Sequence, residues 1–249
     1  MLTCRFCGSH NIKTVGGCNG NPFDKSDEKL VCVDCGRTIA SEEMHLDMSL
    51  AALPALAEEM EKQAQNQTPW RARVEAELLQ TLLESFSATQ ENYKIVVELY
   101  ETLSHFYRNV CDRKRAYEYA IKGSEVALAF SDGELAADMA YSAYRFLLYL
   151  PTEIRPVVDE EKIKNEHGRY ALNVLSYQKY SVMNVDPIEH TEKFLSVYDK
   201  VMERVQARLE KEGNLHIPQQ IWSLMADEFK REGIFWRNPG LMNPQWRFD

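Results

Sequence analysis

Beyond about position 50 the apolar residues fall at helical spacing. Val74, Leu78, Leu79, Leu82, Leu83 and Phe86 recur at intervals of three and four, which lays them on one face of a helix over 70–86. Thr68 and Pro69 supply its cap and first-turn residue. An earlier helix is predicted over 50–65, with Ser49 as cap and Pro54 in the first turn, where its missing N–H is tolerated. Further helices are predicted over 91–110 and 115–130, the latter closed by Ser131-Asp132-Gly133. Asp159 caps a long helix over 160–183 that carries Ile163, Tyr170, Leu172, Val174, Leu175 and Tyr177. Asp186-Pro187 opens another, with Phe194, Tyr198, Val201, Val205 and Leu209 as its stripe and Gly213-Asn214 as its end. Pro218 starts a last helix to Arg231 that presents Ile221, Trp222, Leu224, Met225 and Phe229. The expectation is a mainly α protein of about seven or eight helices.

Within this run Tyr100, Leu103, Ser104 and Tyr107 are followed by Ala116, Ala120 and Gly123. Large residues on a first helix thus face small ones on a second, which lets two backbones approach closely. The offsets resemble a tetratricopeptide hairpin, with Asp112-Arg113-Lys114-Arg115 as its turn. A shift of about 34 residues sets Tyr141 under Tyr107 but Glu134 under Tyr100, so the likeness covers one unit rather than an array. One unit cannot bury its own face, and neighbouring helices must cover it. An irregular helical bundle would show the same packing, and both readings stay open.

The first forty-odd residues read differently. Cys4-x-x-Cys7-Gly8 and Cys32-x-x-Cys35-Gly36 flank a polar, glycine-rich insert. Two residues between cysteines let one tight turn present two sulfurs to one ion, so the four predict a tetrahedral structural zinc site. Strands are expected at 11–15 and 29–31. With Ser9, Asn11, Ile12, Val31, Arg37, Thr38 and Ile39 around them, these cysteines resemble the zinc ribbon of basal transcription factors and their archaeal or bacterial relatives. The insert, with Asn19-Gly20 and Asn21-Pro22 turns and Phe23 in it, is longer than that family's usual hairpin arm. Cys18 and His10 lie between the pairs. A complete set of four thiolates leaves them as a loop thiol and a surface residue, with ligation as the alternative. The domain division expected is a β zinc ribbon over 1–47 and an all-α domain over 48–249.

Composition limits the functions available. A chain of 249 residues with 45 % hydrophobic content can bury a real core. Six cysteines, four of them in the zinc pattern, point to a reducing compartment. Met1-Leu2-Thr3-Cys4 shows no leader pattern, and 140–150, the most apolar stretch, is shorter than the roughly twenty residues a bilayer requires. A cytoplasmic location without membrane attachment is expected. The formal net charge is −9. In the ribbon segment five basic side chains stand against seven acidic ones, a balance of −2, which opposes phosphate-driven nucleic-acid binding.

Phosphate loops, nucleophile elbows and paired metal-ligating histidines are missing from the sequence. Glu42-x-x-His45 is a single half of the motif that di-iron bundles use twice. Two groups suit a partner surface instead: Arg108, Arg113, Lys114 and Arg115, and the aromatic tail with Trp236 and Trp246. The cations read either as a solvated turn at a helix end or as a small-anion or acidic-peptide site. The tail aromatics read either as a cap on the helical stack or as a binding hot spot. The function expected is a non-enzymatic scaffold, adaptor or regulator acting through protein–protein contacts. A nucleic-acid-associated factor is the alternative, and an enzyme assembled from distant helices comes after that.

Overall fold

The computed structural model describes residues 12–15, 29–34, 38–39, 53–151, 153–176, 183–212 and 218–245. Near the N-terminus β1 (Ile12–Val15), β2 (Lys29–Cys32) and β3 (Thr38–Ile39) form an antiparallel sheet in that order, with Lys13 opposite Val31 and Leu30 opposite Ile39. The rest of the described chain is helical. Its elements are α1 (Leu53–Gln65), α2 (Arg73–Ser85), α3 (Tyr93–Asn109), α4 (Arg113–Ala129), α5 (Gly133–Leu147), α6 (Glu160–His167), α7 (Ala171–Ser176), α8 (Glu192–Glu212), α9 (Pro218–Arg231) and α10 (Pro239–Met242). Among the described residues no helix is long and apolar enough to cross a membrane.

One device ends four of these helices. Gln67, Cys111, Ser131 and Gly233 each take a left-handed backbone, with φ of 60°, 64°, 61° and 71°. The N–H of the following residue then reaches back to a carbonyl in the last turn: Thr68 to Gln63 at 2.8 Å, Asp112 to Tyr107 at 2.8 Å, Asp132 to Ala127 at 3.0 Å and Ile234 to Phe229 at 3.0 Å. This is the Schellman closure, which satisfies orphan carbonyls and turns the chain sharply. At two of the four ends, the residue after the turn caps the next helix. Asp112 accepts from the Arg115 N–H, and Asp132 accepts from the Leu135 N–H, both at 3.2 Å.

The same turn therefore joins α3 to α4 and α4 to α5, twenty residues apart. Cross-helix bonds repeat with it. Buried Ser104 donates to the Ala116 carbonyl at 2.8 Å, and buried Ser124 donates to the Ala136 carbonyl at 2.8 Å. Between the outer helices of this trio Gly123 has no room for a side chain. A Cβ there would lie 2.5 Å from the Met139 methyl carbon and 3.3 Å from Tyr100 Cβ. Gly123 thus sits where α5 and α3 both press close against α4, and Ala116 and Ala120 are buried on the same helix.

The main core takes Leu79, Leu82 and Leu83 from α2, Leu103 and Tyr107 from α3, Phe194, Tyr198 and Val201 from α8, and Phe229 from α9. A smaller core lies on the far side of α5, where Ala137 and Ala140 meet Ile163, Ala171 and Val174.

Four expectations need correction. The helix predicted over 70–86 begins as a 3-10 turn at Pro69–Ala72, and the Thr68 hydroxyl donates to Gln63 Oε1 at 2.9 Å instead of capping. The helix predicted over 160–183 breaks at Gly168, whose φ of 53° and ψ of −122° suit glycine alone. Leu172, assigned to its stripe, is exposed. Pro187–His190 is a 3-10 turn, and α8 starts only after Thr191, whose hydroxyl oxygen accepts from the Phe194 N–H at 3.3 Å. The cationic turn 112–115 is no turn beyond Asp112, because Arg113 already begins α4.

Candidate interaction surface

Helix α8 presents three faces to different neighbours. Phe194, Tyr198, Val201, Val205 and Leu209 are buried in the main core. A second face holds Asp199 and Glu203, which bind the start of α2 and the turn before it. Arg73 grips Asp199 through Nε and Nη2, the latter at 2.9 Å. Glu203 accepts from Trp70 Nε1 at 2.8 Å and from Arg71 Nε and Nη2 at 2.8 and 3.0 Å. A two-point guanidinium–carboxylate pair fixes orientation as well as distance. These pairs fasten α8 across the front of α2.

The third face carries Lys200, Arg204 and Arg208, spaced four apart and therefore stacked along one edge. Two carboxylates of α9 and the turn after it meet them. Glu228 is 0 % exposed. Its oxygens lie 3.3 Å from Arg208 Nη1, 3.8 Å from Arg204 Nη1 and 3.1 Å from Arg231 Nη1. Glu232 accepts from Arg204 Nη1 at 2.6 Å and from Lys200 Nζ at 3.2 Å. The Lys200 and Arg204 hydrogen bonds hold its carboxyl below the usual range. Four cations thus face two carboxylates, an excess of two positive charges on a chain that is acidic overall. Each arginine's hydrogen bond to these carboxylates runs through Nη1. Among the described residues no hydrogen bond uses Nε or Nη2 of Arg204, Arg208 or Arg231. Lys193 extends the edge at one end, donating to the Gly233 carbonyl at 2.9 Å, and exposed Lys211 extends it at the other.

The residues singled out from sequence are distributed differently. Arg113 and Trp236 meet on one buried carboxylate, Glu189, whose oxygens accept from Arg113 Nη1 at 2.7 Å and from Trp236 Nε1 at 2.9 Å. Both are internal ties, and neither is available to a partner. Arg115 lies over the Tyr107 ring at 5.3 Å and pairs with Asp112 at 3.5 Å. Lys114 reaches Glu118 at 4.0 Å, and Arg108 donates to Asn109 at 3.3 Å. Arg113 is thus tied inside, whereas Arg108, Lys114 and Arg115 are exposed. The tail packs inward at Ile234 and Trp236, with Phe235 between them exposed, and Arg237 binds Asp186. Cys4, Cys7, Cys35 and Trp246 lie outside the described residues, as do Cys18 and His10. Cys32 is described only as the last residue of β2.

Burial pushes the Cys111 thiol up and keeps it protonated, so it is a poor nucleophile. Its hydroxyl neighbour Tyr198 is pushed up by burial as well. His105, His167 and His190 are all drawn below their ordinary 6.5, burial being the leading cause. A surface cavity of about 360 Å³ is lined by Tyr93, Phe130, Asp132, Glu134, Arg169 and Tyr170. Its aromatic wall is the Tyr93–Phe130 stack at 5.0 Å, and its acid Asp132 already accepts from Tyr93 at 3.1 Å. Among the described residues no group of three or more His, Cys, Asp or Glu side chains is arranged to hold a metal ion.

The α8–α9 edge was not singled out from sequence. Its signal was present in the spacing of Lys200, Arg204 and Arg208 beside the apolar stripe of that helix. No protein-family model, curated protein or solved structure matches this chain.

Proposed function

We propose that this chain is a non-enzymatic adaptor, a zinc-binding scaffold that works in the cytoplasm through protein–protein contacts. In this reading Cys4, Cys7, Cys32 and Cys35 hold a structural zinc that folds an N-terminal ribbon. So small a β unit has too little core of its own without metal. The helical body, tetratricopeptide-like at α3–α4, carries the partner site. The observation that supports it most is the α8–α9 edge, where rigid helices display a net positive cluster on an acidic molecule. Charge complementarity of that kind selects partners and speeds their encounter.

The test is capture of partners from the native host by the tagged full chain, by a form lacking 1–47, and by Arg231→Glu. Loss of the same bound protein on charge reversal, with capture weakening as salt rises, is the expected result. Capture that ignores both salt and the substitution removes the edge from the reading. Elemental analysis of the purified chain should return one zinc, and its absence removes the ribbon.

A further inference from the structure

We infer that Arg204, Arg208 and Arg231 together receive a phosphorylated serine or threonine side chain of a protein partner. This rests on the adaptor reading of the same edge and names what the edge recognises.

The geometry makes one focus out of three residues. All three guanidiniums converge on Glu228, with Nη1 atoms 3.1 to 3.8 Å from its oxygens. Glu228 is fully buried beneath them, whereas the arginine side chains are 37 %, 35 % and 66 % exposed. The carboxylate thus holds the cationic heads from the inner side, and their Nε and Nη2 edges remain for a group arriving from solvent. Those edges are planar forks of N–H donors, the shape that matches an oxyanion at two points. Because Glu228 pre-orders the heads, a ligand does not have to immobilise three long side chains itself.

The charge balance selects the ligand. Lys200, Arg204, Arg208 and Arg231 exceed Glu228 and Glu232 by two. A phosphomonoester carries about −1.5 to −2 at neutral pH, along with three strong acceptor oxygens. A carboxylate of an acidic peptide supplies one charge and two oxygens, and leaves part of the excess unmet. A nucleic acid presents charge at every step of a long line. It would meet a whole chain of net charge −9. A compact dianion fits where an extended polyanion does not.

The experiment is fluorescence polarisation on the full chain with labelled peptides of glycine and alanine around one central residue. That residue is phosphoserine, serine or glutamate, and an oligothymidylate serves as a fourth probe. Phosphoserine should bind at least about tenfold tighter than either twin, a gap that charge-assisted, two-point hydrogen bonds can supply. Arg231→Gln should weaken phosphopeptide binding about tenfold, since it removes the most exposed fork while Arg204 and Arg208 still satisfy Glu228. Glu232→Gln should tighten it by removing a competing carboxylate. Circular dichroism of both variants should match the parent. Equal binding of phosphoserine and serine, or no effect of Arg231→Gln, overturns the inference. If the glutamate twin binds as tightly as phosphoserine, the phosphate inference falls and the protein-binding edge stands. If only the oligothymidylate binds, both fall.

Discussion

Replacing Arg113 with methionine should be among the most damaging single changes in the helical body. Arg113 Nη1 lies 2.7 Å from Glu189 Oε2, and the two side chains are only 17 % and 4 % exposed. At an effective dielectric of about 20, charges about 4 Å apart attract by roughly 4 kcal/mol. Much of that gain offsets the cost of desolvating both ions, so the pair itself adds little net stability. Removing one partner alone is another matter. Methionine is of similar length but loses the guanidinium over the Tyr149 ring, and leaves Glu189 buried with Trp236 Nε1 as its remaining side-chain donor among the described residues. An uncompensated buried charge costs about 3–5 kcal/mol. For a chain of this size each kcal/mol lowers the midpoint by about 2–4 °C, so a fall of roughly 6–20 °C is expected. Glu189→Gln should lose a comparable amount, by stranding Arg113 while still offering Trp236 an acceptor. The double variant Arg113→Met with Glu189→Gln should recover much of the loss. Urea titrations followed by circular dichroism, assembled into a double-mutant cycle, measure this directly. Additive losses, or an Arg113→Met cost below about 1 kcal/mol, would mean that the pair is effectively solvated and the buried tie is not one.

Three further outcomes follow from the fold. Ser131 holds a left-handed φ of 61° that only glycine takes without strain, so Ser131→Gly should raise stability by up to about 1 kcal/mol, and Gly233→Ala at φ 71° should lower it by about as much, both read by thermal melts. Gly123→Ala should destabilise by about 1 kcal/mol or more despite alanine's better helix propensity, because its Cβ falls 2.5 Å from the Met139 methyl and 3.3 Å from Tyr100 Cβ. Burial holds His105, His167 and His190 below 6.5 in the folded state, so unfolding takes up protons as pH falls through that value. Their contribution is intact above about 6.5 and declines below it, and the melting midpoint should drop from pH 7.5 toward 5.5, less steeply in His167→Gln.

Much of the helical order was legible in the chain. Prolines and glycines punctuate it, and the three-and-four spacing of leucines and aromatics marks the faces, so α1, α3, α8 and α9 lie near their expected places. The misses have local causes. Pro69 and Pro187 fix a helical φ but support only one 3-10 turn before the true helix begins. Gly168 interrupts an otherwise periodic segment because its ψ of −122° lies outside the helical range. The twenty-residue recurrence of Ser104, Cys111 and Asp112 in Ser124, Ser131 and Asp132 escaped a comparison made at 34, since two helices joined by so tight a turn need no longer unit.

Charge was harder to read than hydrophobicity, and for a physical reason. An apolar residue at helical spacing announces its own burial, but a cation is defined by what it meets. Arg113 and Glu189 are 76 positions apart, and Trp236 is 47 beyond Glu189, so no local pattern could show that two candidate anchors share one buried carboxylate. The same holds in reverse at the α8–α9 edge. Lys200, Arg204 and Arg208 are a common surface spacing until Glu228 arrives from α9, fully buried, and gathers Arg204, Arg208 and Arg231 into one ordered focus. The acid gives this basic edge its shape. Remove Glu228 and the positive charge would grow while the site dispersed, which is why net charge alone points away from the surface most able to bind.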